Sequence, residues 1–332
     1  MADMPWPGAV AVSGGGDSLA LMHLLADWAR GARAPKPLVL CVDHGLRATS
    51  KKEAAQVARW AKALGLTCEI LTVKGPRPTS DIEAWAREAR YRLMAQALGR
   101  HKLSALYVGH HQDDQAETFL LRLARGSGLD GLSAMRSLSV FPLPGFEELA
   151  LARPLLDVPR EDLRHYLKSR GQEWLEDPMN AQARFARSRI RALLPALAEA
   201  GLTAQRIADA AAHLARAREA LDLATAAVLA RCCRRHEKFL ALDPAALGAA
   251  PREIGLRALA ALLKIVSGEA YRPRFDALER LYDRVCGFGP PLGGGATLHG
   301  CRIGPAPARH RLFGPDTLVI TRESSIRGGK KT

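Results

Sequence analysis

Aromatic residues are scarce. Phe, Trp and Tyr make up 5% of the 332 residues, and few of them interleave with the basic residues of the second half. Base stacking on that basic surface is therefore not expected. Cysteine is scarce too: Cys41, Cys68, Cys232, Cys233, Cys286 and Cys301 include no C-x-x-C pair. That excludes the usual spacing of cysteine zinc and iron–sulfur sites. The start, Met-Ala-Asp-Met-Pro-Trp-Pro, lacks a basic segment followed by an apolar core. With no such leader, a disulfide framework is not expected, and a cytoplasmic protein is. No stretch approaches the roughly 18–20 uninterrupted apolar residues of a membrane span, so no membrane partner is expected.

Acidic residues are also in deficit. Lys and Arg number 48 against 34 Asp and Glu, a net charge of +14. The excess is uneven: residues 1–150 hold 18 basic and 15 acidic groups, and residues 151–332 hold 30 and 19. A balanced first half and a basic second half suggest chemistry in one and a polyanion on the other. The remaining composition, 48% hydrophobic and 25% charged, is that of a globular chain long enough for more than one domain.

The first half alternates. Short apolar runs at 9–12, 37–42, 68–73 and 105–108 read as strands, and 18–30, 50–65, 81–99 and 111–124 read as helices. Ser50 with Glu53 reads as a capping box opening the second helix. This order predicts an α/β fold, a parallel doubly wound sheet with helices on both faces. Ligands of such sheets bind at the C-terminal ends of the strands. Residues 126–150 are rich in glycine and read as loop. Helices are predicted over 159–171, 184–199, 202–236, 251–266 and 273–286, with two strands around a turn in the tail from 296 to 322. The expected organisation is a catalytic domain over 1–200, a helical basic domain over 201–288 and a short β-containing segment over 289–332.

The sharpest motif follows the first strand: Ser13-Gly14-Gly15-Gly16-Asp17-Ser18, running straight into a helix. Glycines let the backbone turn tightly and bring N–H groups to an anion, and the helix N-terminus adds positive field. Ser13 and Ser18 add hydroxyl donors. Asp17 is odd in an anion site; it caps the helix, orders the loop or helps to hold a metal. The Walker A pattern, G-x-x-x-x-G-K-S/T, is missing. The loop resembles the pyrophosphate loop of the N-type ATP pyrophosphatases, or PP-loop proteins, which transfer AMP from ATP to a substrate carbonyl oxygen.

Further segments choose within that group. They are Val42-Asp43-His44-Gly45-Leu46-Arg47, Ala86-Arg87-Glu88-Ala89-Arg90-Tyr91, the run from Gly109-His110-His111 to Asp113-Asp114 and Glu117-Thr118, and Arg122 to Gly128. Arg153-Pro154-Leu155-Leu156, Trp174 to Asn180 and Arg189-Ile190-Arg191 continue the series. Together they resemble the tRNA(Ile)-lysidine synthetases over about residues 8–200.

The same residues carry a physical reading. Glu117 follows Asp113 and Asp114 by four and three positions, so on a helix it shares a face with one or both. Such carboxylates suit Mg²⁺, a lysine ammonium or its proton; dipole complementation accounts equally for the two aspartates. Asp43 ends the second strand, where a ribose or metal would lie, or it is a turn residue. Of His110 and His111, adjacent and so pointing apart, His110 is the expected ligand contact. Arg90, Arg122 and Arg125 suit phosphate, the adenylate or RNA backbone. Arg206, Arg216, Arg218, Arg231, Arg234, Arg235 and Lys238 read either as a solvated face or as a track along RNA phosphates.

The resemblance implies an ATP-dependent ligase. It adenylates the first anticodon cytidine of tRNA(Ile) bearing CAU, and L-lysine then displaces AMP to form lysidine. The implied cofactors are ATP and Mg²⁺. The site residues implied are Asp43, Asp113, Glu117 and Arg90 for the chemistry, Ser13 to Ser18 with His110 for the nucleotide, and Asp43 and Asp113 for the metal. A homodimer is compatible with the chain. Two alternatives stand beside this reading: a PP-loop tRNA thiolation enzyme, and a nucleotide-dependent RNA-binding protein without turnover.

Overall fold

The computed structural model describes residues 4–43, 45, 49–73, 82–176, 186–269 and 271–323. His44, Leu46, Arg47 and the Asp177–Asn180 segment lie outside the described residues. The chain divides into two compact units, Met1–Ala215 and Arg216–Thr332.

The first unit is built on six strands: β1 Ala9–Ala11, β2 Leu38–Asp43, β3 Cys68–Thr72, β4 Ala105–Tyr107, β5 Leu138–Val140 and β6 Ala150–Ala152. Their order is β3-β2-β1-β4-β6-β5, all parallel except β5, which runs antiparallel to β6. The central strands are apolar because both faces are covered. Helix α1 (Gly16–Gly31) lays Leu19, Met22, Leu25 and Ala26 on one face of the sheet, and Val57 and Ala61 of α2 (Ser50–Ala63) join the same core. On the other face α3 (Ile82–Arg100) packs Tyr91, Met94 and Leu98 against Leu40, Leu106 and Phe141. Helices α4 (Gln112–Leu123), α5 (Leu129–Leu132), α6 (Arg160–Ser169) and α7 (Ala186–Glu199) complete the unit, and α8 (Ala204–Cys232) begins in it.

This topology positions the site. Strand β1 pairs with β2 on one side and β4 on the other, so successive connections leave the sheet in opposite directions. The crevice of a doubly wound sheet opens at such a switch point, beyond the carboxyl ends of the strands. The glycine-rich loop follows β1, and the His110–Asp114 run follows β4.

The second unit has an antiparallel sheet of order β7-β8-β11-β10-β9. Its strands are β7 Cys233–Arg235, β8 Leu240–Leu242, β9 Ala296–Leu298, β10 Cys301–Pro305 and β11 Leu318–Arg322. Helix α9 (Pro244–Gly248) is capped by Asp243, whose Oδ1 accepts from the Ala245 and Ala246 N–H groups at 3.0 and 3.2 Å. Helices α10 (Arg252–Ser267) and α11 (Phe275–Val285) share one core with the sheet, through Leu259, Leu263, Tyr282, Ile303 and Ile320. The C-terminal strands thus complete the second unit's sheet with β7 and β8.

Several elements differ from the sequence reading. The glycine-rich stretch after α4 holds β5 and β6, whose three-residue strands are too short for a period to register. Helix α8 ends at Cys232, where the chain turns into β7; the tail has three strands. The N-cap of α2 is Thr49, one residue before Ser50, and its Oγ1 donates to Glu53 Oε1 at 2.8 Å.

Candidate active site

Strand β1 ends at Ala11 and α1 starts at Gly16, so the motif spans the strand end, the turn and the first helical turn. Gly14 takes φ +93°, a conformation that favours glycine, and a Cβ there would lie 2.7 Å from Leu175 Cδ1. The turn is tied by its own serines. Ser18 Oγ donates to Gly15 O at 2.9 Å and accepts from Ser13 N at 3.2 Å; Ser13 and Ser18 hydroxyls are 3.3 Å apart. Leu175 N donates to Gly14 O at 2.9 Å, which fixes the Trp174–Glu176 segment over the loop.

A cleft of about 600 Å³ opens at this loop. Ser13, Gly15, Gly16, Asp17 and Ser18 form its polar floor, with Arg87, Arg90, Arg160 and Arg164 around it. Leu40, Val42, Tyr91, Met94 and Val108 supply an apolar wall. His110 lines the cleft as well. Its imidazole is pushed down to about 4, first by burial and then by Arg153, Arg187 and Arg87, against the pull of Asp114. It is therefore a neutral ring at pH 7. Burial likewise lowers the Arg90 guanidinium, which lies 5.7 Å from the Tyr91 ring centroid.

His111 turns the other way. It is 2% exposed and sits among three carboxylates: Asp17 Oδ2 at 3.4 Å, Asp113 Oδ2 at 3.5 Å and Asp114 Oδ2 at 3.5 Å. Burial opposes its charge, but contact with Asp113 and Asp17 and the field of Asp114 raise its pKa to about 9. The Asp113 carboxyl falls to about 2, held by His111 and, against burial, by the Arg160 N–H at 3.0 Å. Asp17 also lies below its ordinary range, because His111, Arg160 and Arg164 outweigh its burial. Arg160 Nε stands 3.6 Å from Asp17 Oδ1. Asp114 Oδ2 accepts from His111 N at 3.1 Å and so closes the start of α4. Gly109 allows the close approach: a Cβ there would sit 2.8 Å from the Asp17 carbonyl oxygen.

Glu117 lies deeper, 1% exposed, with Oε1 accepting from Arg191 Nε of α7 at 2.7 Å. Its Oε2 is buried without a hydrogen-bond partner. Arg187 of α7 reaches Thr118 Oγ1 at 3.3 Å.

The structure thus gathers Ser13, Gly15, Gly16, Asp17, Ser18, Arg90 and His110 into one cleft, with Gly14 beneath the Leu175 side chain. Asp113 joins through His111, outside the cleft lining. Asp43 is 4% exposed at the end of β2, where Oδ1 accepts from Gly45 N at 2.8 Å. Arg122 Nη1 donates to Gly131 O at 2.6 Å, tying α4 to α5, and Arg125 is exposed. Sequence reasoning missed Arg160 and Arg164, which lie on α6 between the Arg153–Leu156 and Trp174 segments and belong to neither. It assigned no role to Arg191, whose place is set by packing of α7 on α4.

Comparisons with known proteins agree with this geometry. The PP-loop domain family matches residues 7–197. The tRNA(Ile)-lysidine synthase of Wolbachia pipientis wMel is 36% identical over 326 residues, covering 96% of this chain and 71% of that protein. That of Bradyrhizobium diazoefficiens is 38% identical over 339 residues, covering 91% and 90%. Among solved structures, the U34-tRNA thiolase NcsA of Methanococcus maripaludis is similar with a TM-score of 0.53 at 17% identity, over 63% of this chain and 72% of that one, a likeness of fold. By its glycine-rich loop, its sheet and its relatives, the chain belongs to the tRNA(Ile)-lysidine synthase family of PP-loop proteins.

Proposed function

We propose that the cleft beyond β1 and β4 uses ATP to adenylate the first anticodon cytidine of tRNA(Ile) bearing CAU, and that L-lysine then replaces AMP to give lysidine. The observation that carries this reading is the serine-tied loop at the helix α1 N-terminus, facing a cleft with four arginines and one apolar wall. Loop N–H groups, Ser13, Ser18 and the arginines hold the triphosphate. The apolar wall takes the flat base.

A pyrimidine carbonyl is a poor electrophile. When its oxygen attacks the α-phosphorus, pyrophosphate leaves, and the oxygen becomes part of a good leaving group. The lysine amine then forms the C–N bond, AMP departs with the oxygen, and the amine loses a proton. Donors aimed at the departing pyrophosphate and AMP stabilise the charge that develops there. Glu117 suits the ammonium: one oxygen is fixed by Arg191, and the other is buried and unpartnered.

Mg²⁺ bound together with ATP would be held chiefly by phosphate oxygens and water, with few protein ligands. The residues fit an ion carried in this way, because Asp17 Oδ1 is a buried oxygen without a hydrogen-bond partner beside the loop. They do not make a cage: among the described residues no group of three or more His, Cys, Asp or Glu is placed to hold a metal. Bound there, the ion would neutralise the pyrophosphate. Asp113 and Asp43 stay secondary candidates, because Asp17 lines the cleft and they do not. No helix among the described residues is long and apolar enough to cross a membrane.

The test is one incubation with bulk bacterial tRNA, ATP, Mg²⁺ and radiolabelled L-lysine. Label in washed RNA that survives mild alkali supports the proposal. ATP turnover without label sinks it and moves the acceptor elsewhere.

A further inference from the structure

The second unit gathers rings and guanidinium groups that are scattered in the sequence. The β7–β8 hairpin turns through His236–Phe239, closed by His236 N donating to Phe239 O at 3.0 Å. The His236 and Phe239 rings stack at 4.4 Å with planes 14° apart. His310, from the connection between β10 and β11, packs at 4.7 Å from Phe239 and 5.5 Å from His236. Phe313 of the same connection lies under Arg234, 5.4 Å from guanidinium carbon to ring centroid. His236 is exposed, as are Arg235, Lys238, Arg309 and Arg311; Leu312 is 54% exposed.

This surface is built in advance. Ala306 N donates to Thr317 O at 2.8 Å and closes the connection at its base; Phe313 N donates to the buried Thr317 Oγ1 at 2.9 Å. Gly314 N and Arg311 Nε bond inside it, at 3.2 Å to Arg311 O and 3.4 Å to Ala306 O. Rings held in this way lose little freedom when a ligand arrives. The charge favours an anion. Residues 233–239 and 306–317 hold five basic groups (Arg234, Arg235, Lys238, Arg309, Arg311) against Glu237 and Asp316.

We propose that this patch is an RNA subsite: an unpaired nucleotide outside the anticodon stacks its base on the outer face of His236, and its phosphates lie against Arg309 and Arg311. Single-stranded RNA is gripped by this combination of a π-face and flexible cations. A protein partner would meet the same charges but needs a wider apolar area than Leu312 offers. The inference rests on the tRNA-modifying function proposed above.

The test compares the full chain with H236A/H310A, H236F/H310F and R309A/R311A in binding intact tRNA. Loss of the rings weakens binding about 10- to 100-fold. The phenylalanine pair restores it, because a face is kept while the titratable group is lost. The arginine pair lowers the slope of log affinity against log salt by about 1.5. Ultraviolet cross-linking places RNA on the peptide that holds His236. If H236A/H310A binds tRNA as tightly as the parent and no cross-link maps to that peptide, the subsite is wrong. If the parent itself neither binds nor modifies tRNA, the proposed function has failed instead.

Discussion

His111 Nε2 lies 3.4 Å from Asp17 Oδ2, so a buried imidazolium joins the loop after β4 to the phosphate loop after β1. Two motifs far apart in the chain are held in register by one charge. With His111 removed, Asp17, Asp113 and Asp114 would lose their shared cation, and only Arg160 and Arg164 would remain to offset Asp17.

That arrangement sets a pH dependence. The folded pKa of His111 is raised, from 6.5 to about 9, so its contribution is complete below pH 6.5 and is lost as pH rises through 9. The shift corresponds to about 3 kcal/mol. Asp113 acts at the other end: its contribution is complete above 3.8 and fades as pH falls through about 2. Melting temperatures from pH 6 to 9.5 should fall more steeply for the parent than for H111Q. Parallel curves would refute the charged state of His111.

Asp17→Ala and Glu117→Ala are expected to abolish lysine incorporation while leaving bulk tRNA affinity nearly intact. The first removes a carboxylate from the cleft, the second the partner of Arg191. Filter binding beside the incorporation assay checks this. Equal losses in both would overturn the division between a catalytic first unit and a basic second one.

Gly109→Ala tests the contact between the two loops. Its Cβ would meet backbone atoms of Asp17 and Ser18, within 2.8–3.1 Å, and backbone cannot swing away as a side chain can. We expect ATP affinity to fall about 5- to 150-fold, from a strain of about 1–3 kcal/mol. Nucleotide titration by calorimetry reads it directly; unchanged affinity would mean the loops are not coupled.

Arg191→Ala leaves a carboxylate that is 1% exposed without its cation. A loss of about 3–5 kcal/mol follows from stranding a buried charge. E117Q/R191A should recover much of it, since the stranded charge is gone. Denaturant melts of the single and double variants form the cycle, and additive effects would contradict the pairing.

Gly255→Ala addresses the second core. Its Cβ would run into the Tyr282 ring and hydroxyl of α11, a packed side chain 1% exposed. Overpacking of this kind costs about 1–3 kcal/mol. The second unit should melt earlier while ATP affinity at the first stays at its parent value. A shift in ATP affinity would show the cores are not independent.

The sequence alone determined the α/β fold class, the glycine-rich loop after the first strand and the family. Those rest on local features: buried strands read as unbroken apolar runs, and an anion-binding turn needs its glycines and hydroxyls contiguous. The sequence pointed to His110 as the residue facing the ligand, and His110 lines the cleft; the place of His111 was not legible there. Adjacent residues at a strand end point apart, and only the packing of the β4–α4 loop on Asp17 decides which ring lines the cleft and which is buried among carboxylates. Arg160 entered the site region because α6 docks there; Arg191 stood in a quoted motif, but its pairing with Glu117 follows only from the packing of α7 on α4. The ring cluster of His236, Phe239 and His310 likewise exists only because the β10–β11 connection folds back onto the β7–β8 hairpin. Tertiary structure decides such groupings, since side-chain contacts between distant segments follow from strand order and loop path rather than from local pattern.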